Sequence, residues 1–175
     1  MKLIIFAAFL VATAVNASAN DLAEMGCSRS NIGSSKELIK TSVVCDSQEI
    51  AHNLDKMRAS GVLNEDVNFE FFRKHPFEIK HWVLCAAVAE SVRELFGAGA
   101  KSVSVVASLR ERDDFGSAQD RPVLKFSLDK KTASKIDWDH FNPTNFDHIA
   151  RDFSLSPWAY QQEMDEFAQN KELPR

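Results

Sequence analysis

The sequence predicts an α+β fold in which a central apolar helix and several shorter helices pack with a small antiparallel sheet of two to three strands. Three observations predict it. Residues 77–96 carry apolar side chains around much of a helical circumference. Residues 101–110 switch to a period of two, as a half-buried strand requires. The last third of the chain contains two proline-marked helix starts, Asn142-Pro143 and Ser156-Pro157.

The N-terminus predicts export. Met1-Lys2 precedes an uncharged apolar run over residues 3–15, followed by Asn16-Ala17-Ser18-Ala19. A positive start, a short apolar stretch and small residues before the cut make a cleavable signal, placing the cut before Asn20. The run of 13 residues is too short for a spanning helix, which needs about 20. Glu24-Met25 before Gly26-Cys27 does not fit a lipidation site, and residues 79–96 are interrupted by Glu90, Arg93 and Glu94. The expected organisation is therefore a signal at 1–19 and a single globular α+β domain at 20–175, periplasmic or secreted.

Loss of Lys2 with the signal moves the net charge from −4 to −5. The basic residues are scattered, so the acidic mature chain lacks the concentrated basic face that a nucleic-acid backbone demands. About 156 residues are enough for one domain with a real core. Eleven phenylalanines and three tryptophans supply its bulk.

Three cysteines remain, and export into an oxidising compartment favours one bridge with one cysteine left over. Cys85 sits in the apolar stretch Trp82-Val83-Leu84-Cys85-Ala86-Ala87-Val88, the setting of a small buried hydrophobe. Cys27 and Cys45 flank a polar segment. A Cys27–Cys45 bridge is expected, closing a loop of about 19 residues and worth about 3 kcal/mol, with the Cys27–Cys85 and Cys45–Cys85 pairings left open by the sequence.

Along the chain, residues 20–36 are rich in Ser, Asn and Gly and predict an irregular arm held by the bridge. Residues 38–44 predict a short strand. Asp46-Ser47-Gln48-Glu49 has the form of a capping box, and Ile50, Leu54 and Met57 continue an amphipathic helix that Gly61 ends. Asn64 is the expected cap of a second helix, with Glu65 and Asp66 at its positive end and Arg73, Lys74 and His75 at its negative end. Pro76 opens the long helix, whose expected core positions are Ile79, Trp82, Val83, Ala86, Ala89, Val92, Leu95 and Phe96.

Val103, Val105, Ala107 and Leu109 then alternate, as do Leu124, Phe126 and Leu128, predicting an antiparallel pair joined by a long charged connection over 111–120. In the tail, Phe146, Ile149, Ala150 and Phe153 predict one helical stripe, and Tyr160, Met164, Phe167 and Ala168 a second.

Candidate chemistry is sparse. His81 and Cys85, four apart on the long helix, share a face, and imidazole beside a thiol is the beginning of a nucleophile or of half a metal site. Asp139, His140, Asp147 and His148, with Asp137 beside them, form the densest group of carboxylates and imidazoles, but at no metal-motif spacing. No metal site or cofactor is expected. Asp113, Asp114 and Phe115, near Glu111, form an acidic tip with an aromatic residue, the chemistry of a partner-binding loop.

The chain is expected to be a small exported protein-binding or inhibitor-like protein without catalytic activity, its partner another exported or envelope protein. The alternative is a small exported hydrolase using the Asp/His cluster or the Cys–His pair.

Overall fold

Alternation of apolar and polar residues builds a larger sheet than expected. Five strands, β1 (Cys27–Ser34), β2 (Leu38–Asp46), β3 (Ser102–Arg112), β4 (Ala118–Asp129) and β5 (Arg151–Leu155), lie in chain order across it. β2 and β3 run parallel, and the other three pairings are antiparallel. The two to three antiparallel strands expected are thus corrected to five strands with a parallel pair at their centre. The computed structural model describes residues 19–35 and 37–171; the signal expected at 1–19 lies, except for Ala19, outside them.

Thr41, Val43 and Cys45 of β2, Val103, Val105, Ala107 and Leu109 of β3, and Phe126 and Leu128 of β4 are buried on one face. The opposite face carries Ser30, Ser42, Val106 and Lys125 in register across four strands. One face therefore joins the core and the other meets solvent.

The helices are α1 (Ala19–Glu24), α2 (Ser47–His52), α3 (Leu54–Ala59), α4 (Phe69–Lys74), α5 (Pro76–Gly97), α6 (Lys130–Ala133), α7 (Phe146–Ile149) and α8 (Pro157–Lys171), with a 3-10 turn at Pro143–Asn145. α5 packs against β2 and β3 through Val83, Leu84, Ala87, Val88 and Val92, all buried. Trp82, Ala86, Ala89 and Phe96 are only half-buried. The long helix is thus a one-sided layer on the sheet, and the central apolar helix expected is not found. Its buried arc is turned toward Leu84 and Val88 because the sheet, rather than a ring of helices, supplies the apolar surface.

The caps explain where the shorter helices begin. The Asp46 carboxylate accepts from the backbone N–H of Gln48 at 2.9 Å and of Glu49 at 3.4 Å, as the capping pattern implies. The expected single helix is divided at Asn53 into α2 and α3, which still bury Ile50, Leu54 and Met57 on one side. α4 is capped by Asn68, whose side chain accepts from Phe71 N–H at 2.9 Å, rather than by Asn64.

Two segments differ more. The irregular arm expected at 20–36 is a helix followed by a strand, since Cys27 lies opposite Cys45 and the register carries pairing on to Ser34 opposite Ile39. The bridge is Cys27–Cys45, as expected, and Cys85 is free and buried. The helical stripe expected at 146–153 stops after one turn, because Ala150 is extended and β5 pairs Leu155 with Leu124. Its aromatic residues still pack together, with Phe146 stacked on Phe126 at 4.6 Å and Phe153 at 6.4 Å from the same ring.

α8 begins where Ser156 Oγ accepts from Ala159 N–H at 3.1 Å. It is clasped to the start of α5: Trp158 meets the edge of Phe77 at 5.6 Å, and Arg121 lies 5.4 Å over the Trp158 ring. His75, the residue before Pro76, makes no side-chain cap bond for α5. Glu166 supplies one from 88 residues away, accepting from Glu78 N–H at 3.0 Å and from Phe77 N–H. Burial raises the Glu166 carboxyl above its ordinary value, against the pull of these two donors.

Glu166→Ala removes an acceptor from two otherwise orphaned helix donors and is expected to cost about 1 kcal/mol, while Glu166→Gln keeps an oxygen acceptor and costs less. Urea denaturation of the two variants measures the difference, and equal stabilities would refute the capping role.

Candidate functional site

The β3–β4 ribbon ends in a braced turn rather than the long connection expected. Pairing runs to Arg112 opposite Ala118, leaving only residues 113–117 unpaired. Asp113 N–H donates to Ser117 C=O at 3.1 Å, and Gly116 N–H to Asp113 C=O at 2.9 Å. The Asp113 carboxylate turns inward and accepts from Phe115 N–H at 3.0 Å and Ser117 N–H at 2.8 Å. Gly116, with φ of 79°, takes the left-handed position that a side chain would strain.

One turn back, Arg110 clamps Asp120 across the strands through two bonds of 2.7 and 3.0 Å, which lower the Asp120 carboxyl from its usual range. The turn leaves Asp114 exposed and Phe115 93% exposed. Of the acidic tip read from sequence, only Asp114 faces outward as a free charge would. Asp113 holds the turn, and Glu111 bonds Ser47 Oγ at 2.7 Å and Lys80 Nζ at 3.2 Å.

The Asp/His group does not converge. His140 Nδ1 bonds Asp137 at 2.9 Å, Asp139 pairs with Arg93 at 3.3 Å, and His148 lies 3.6 Å from its neighbour Asp147. The bond from His140 draws the Asp137 carboxyl down. Among the described residues no three His, Cys, Asp or Glu side chains form a group that could hold a metal ion.

His81 and Cys85 are brought together, with a third member that the sequence did not reveal. His81 Nδ1 lies 2.8 Å from Glu163 on α8, and its side chain is 19% exposed. Burial disfavours the imidazolium, but the Cys85 sulfur and the Glu163 carboxylate outweigh it and push His81 up to about 10. Glu163 and Glu166, three apart, thus face α5 together, one on an imidazole and the other on the helix N-terminus. Their spacing was visible, but nothing local marks which of α8's carboxylates has a partner about 80 residues upstream.

A group whose folded value is raised stabilises the fold fully below its unfolded value, about 6.5 for histidine. That contribution is lost as pH rises through the folded value. The thermal midpoint is therefore expected to fall between about pH 6.5 and 10, and to fall less in His81→Gln. Equal slopes in the two proteins would refute the coupling.

No family model, no curated protein and no solved structure matches this chain.

Proposed function

We propose that the chain is an exported, non-catalytic binding or inhibitor-like protein that engages another exported or envelope protein through the β3–β4 tip. The observation that carries this reading is Phe115, a large apolar side chain 93% exposed on a turn fixed by the Asp113 carboxylate. An aromatic side chain carried on a backbone already fixed before contact spares the ordering of the loop on binding, which favours it as an anchor. Asp114 beside it suits a partner pocket that is apolar within and basic at its rim. The buried bridge and the N-terminal pattern support a site of action outside the cytoplasm. No helix of the described residues is long and apolar enough to cross a membrane.

The alternative, an exported hydrolase, draws no support from Asp139, His140, Asp147 and His148, which have separate partners. Its support is confined to the His81–Cys85 pair.

The mature protein used as bait on a periplasmic or culture-medium extract tests the proposal. Phe115→Ala is expected to weaken a captured partner by about 2 kcal/mol, roughly 30-fold in affinity. Asp114→Asn should lower chiefly the association rate and its salt dependence. Neither should alter thermal unfolding, since the tip lies outside the core. Undiminished capture by Phe115→Ala would reject the tip as the binding site.

A further inference from the structure

Successive side chains of a strand point to opposite faces, so the face turned away from α5 carries the alternate positions of β2, β3 and β4. Two adjacent rows cross it. Lys40, Ser104 and Ser127 stand opposite one another in the first, and Ser42, Val106 and Lys125 in the second. Both lysines are exposed. Two strands over and two residues along, their Cα atoms lie about 12 Å apart. The floor between them is made of small side chains and carries no aromatic residue.

Charge is sorted on this face. Each carboxylate that β2, β3 and β4 place here is answered by an arginine: Asp46 by Arg112 at 3.4 Å, Asp120 by Arg110 at 2.7 Å and Asp129 by Arg151 at 2.9 Å. Lys40 and Lys125 have no carboxylate partner among the described residues. A chain of net charge −4 therefore turns a surplus of positive charge to solvent on its open sheet.

The hydroxyls between the lysines are uncommitted too. Among the described residues, the side chains of Ser42, Ser104, Ser108 and Ser127 make no hydrogen bond. Ser108, opposite Pro122 at the bulge of β3 and β4, is only 6% exposed, yet its oxygen is not sealed from solvent. A hydroxyl withdrawn this far usually has a partner, and leaving it without one costs stability.

The chemistry of the face selects its occupant. Single-stranded nucleic acid is held by stacked aromatic side chains. An anionic bilayer is held by a larger cluster of basic residues or by inserted apolar ones. The face offers neither. Two separated cations with hydroxyls between them match a polymer whose carboxylates are spaced along hydroxyl-bearing rings.

We propose that the open face of the sheet binds a linear acidic polysaccharide, with carboxylates on Lys40 and Lys125 and sugar hydroxyls on Ser42, Ser104, Ser108 and Ser127. This surface is separate from Phe115 at the β3–β4 tip, and the inference does not depend on the reading of that residue.

The test titrates the folded, disulfide-intact protein with oligosaccharides of hyaluronan and of polygalacturonate in a calorimeter. Binding to at least one is expected, weakening as salt is raised. Lys40→Gln and Lys125→Gln should each lower the affinity about tenfold, the scale of a lost charge-assisted hydrogen bond, and Ser104→Ala about fivefold. All three positions are on the solvent side of the sheet, so thermal unfolding should be unchanged. Phe115→Ala should bind the oligosaccharides as wild type does.

No binding to either oligosaccharide would overturn the proposal, as would equal binding to neutral dextran. Affinity unchanged by both lysine variants would overturn the face. Binding to phosphatidylglycerol vesicles or to single-stranded DNA in place of the polysaccharides would overturn the occupant.

Discussion

The parallel pairing of β2 with β3 is the constraint from which the rest of the architecture follows. Antiparallel neighbours need only a tight turn, whereas a parallel pair needs a crossover long enough to carry the chain back along the sheet. Residues 47–101 are that crossover, and α2 to α5 are its contents. The return leg is α5, which lies on the strands it connects and buries Val83, Leu84 and Val88 against them. β1 and β4 then add outward on either side as antiparallel partners, and β5 closes the far edge.

Much of this was legible where one local signal acted alone. The period of two at Val103, Val105, Ala107 and Leu109, the carboxylate at Asp46, and the prolines at positions 76 and 157 correspond to elements that begin or run where they indicate. Legibility failed where a partner decided the outcome. β1 reads Cys-Ser-Arg-Ser-Asn-Ile-Gly-Ser, polar on both faces, and is a strand because β2 offers it hydrogen bonds. Phe153 has helical spacing from Phe146 and Ile149, yet it stands on a strand, after Asp152 takes a left-handed φ of 53°. The same division holds at the site. His81 and Cys85 share one helix face and were visible together; Glu163 reaches them only through tertiary folding, and Asp113 proved to serve the turn.

α8 joins these observations. Its two inward carboxylates satisfy groups that α5 leaves unfinished, an imidazole and a pair of helix-initiating amides. The start of α5 is therefore a tertiary product as much as a local one: Pro76 marks the place, and a residue from the tail completes the hydrogen bonding. Trp158, wedged between Phe77 and Arg121, ties the same corner to β4.

The placement of the disulfide settles a competition among three thiols. Cys27 and Cys45 lie opposite each other in the β1–β2 register, 18 residues apart, the shortest separation among the three possible pairings of these cysteines. The strand register holds this pair side by side, while Cys85 is buried on α5. An odd number of cysteines, ordinarily an invitation to scrambled or intermolecular bridges, is here divided between a pair aligned by strand register and a third thiol that burial keeps from solvent.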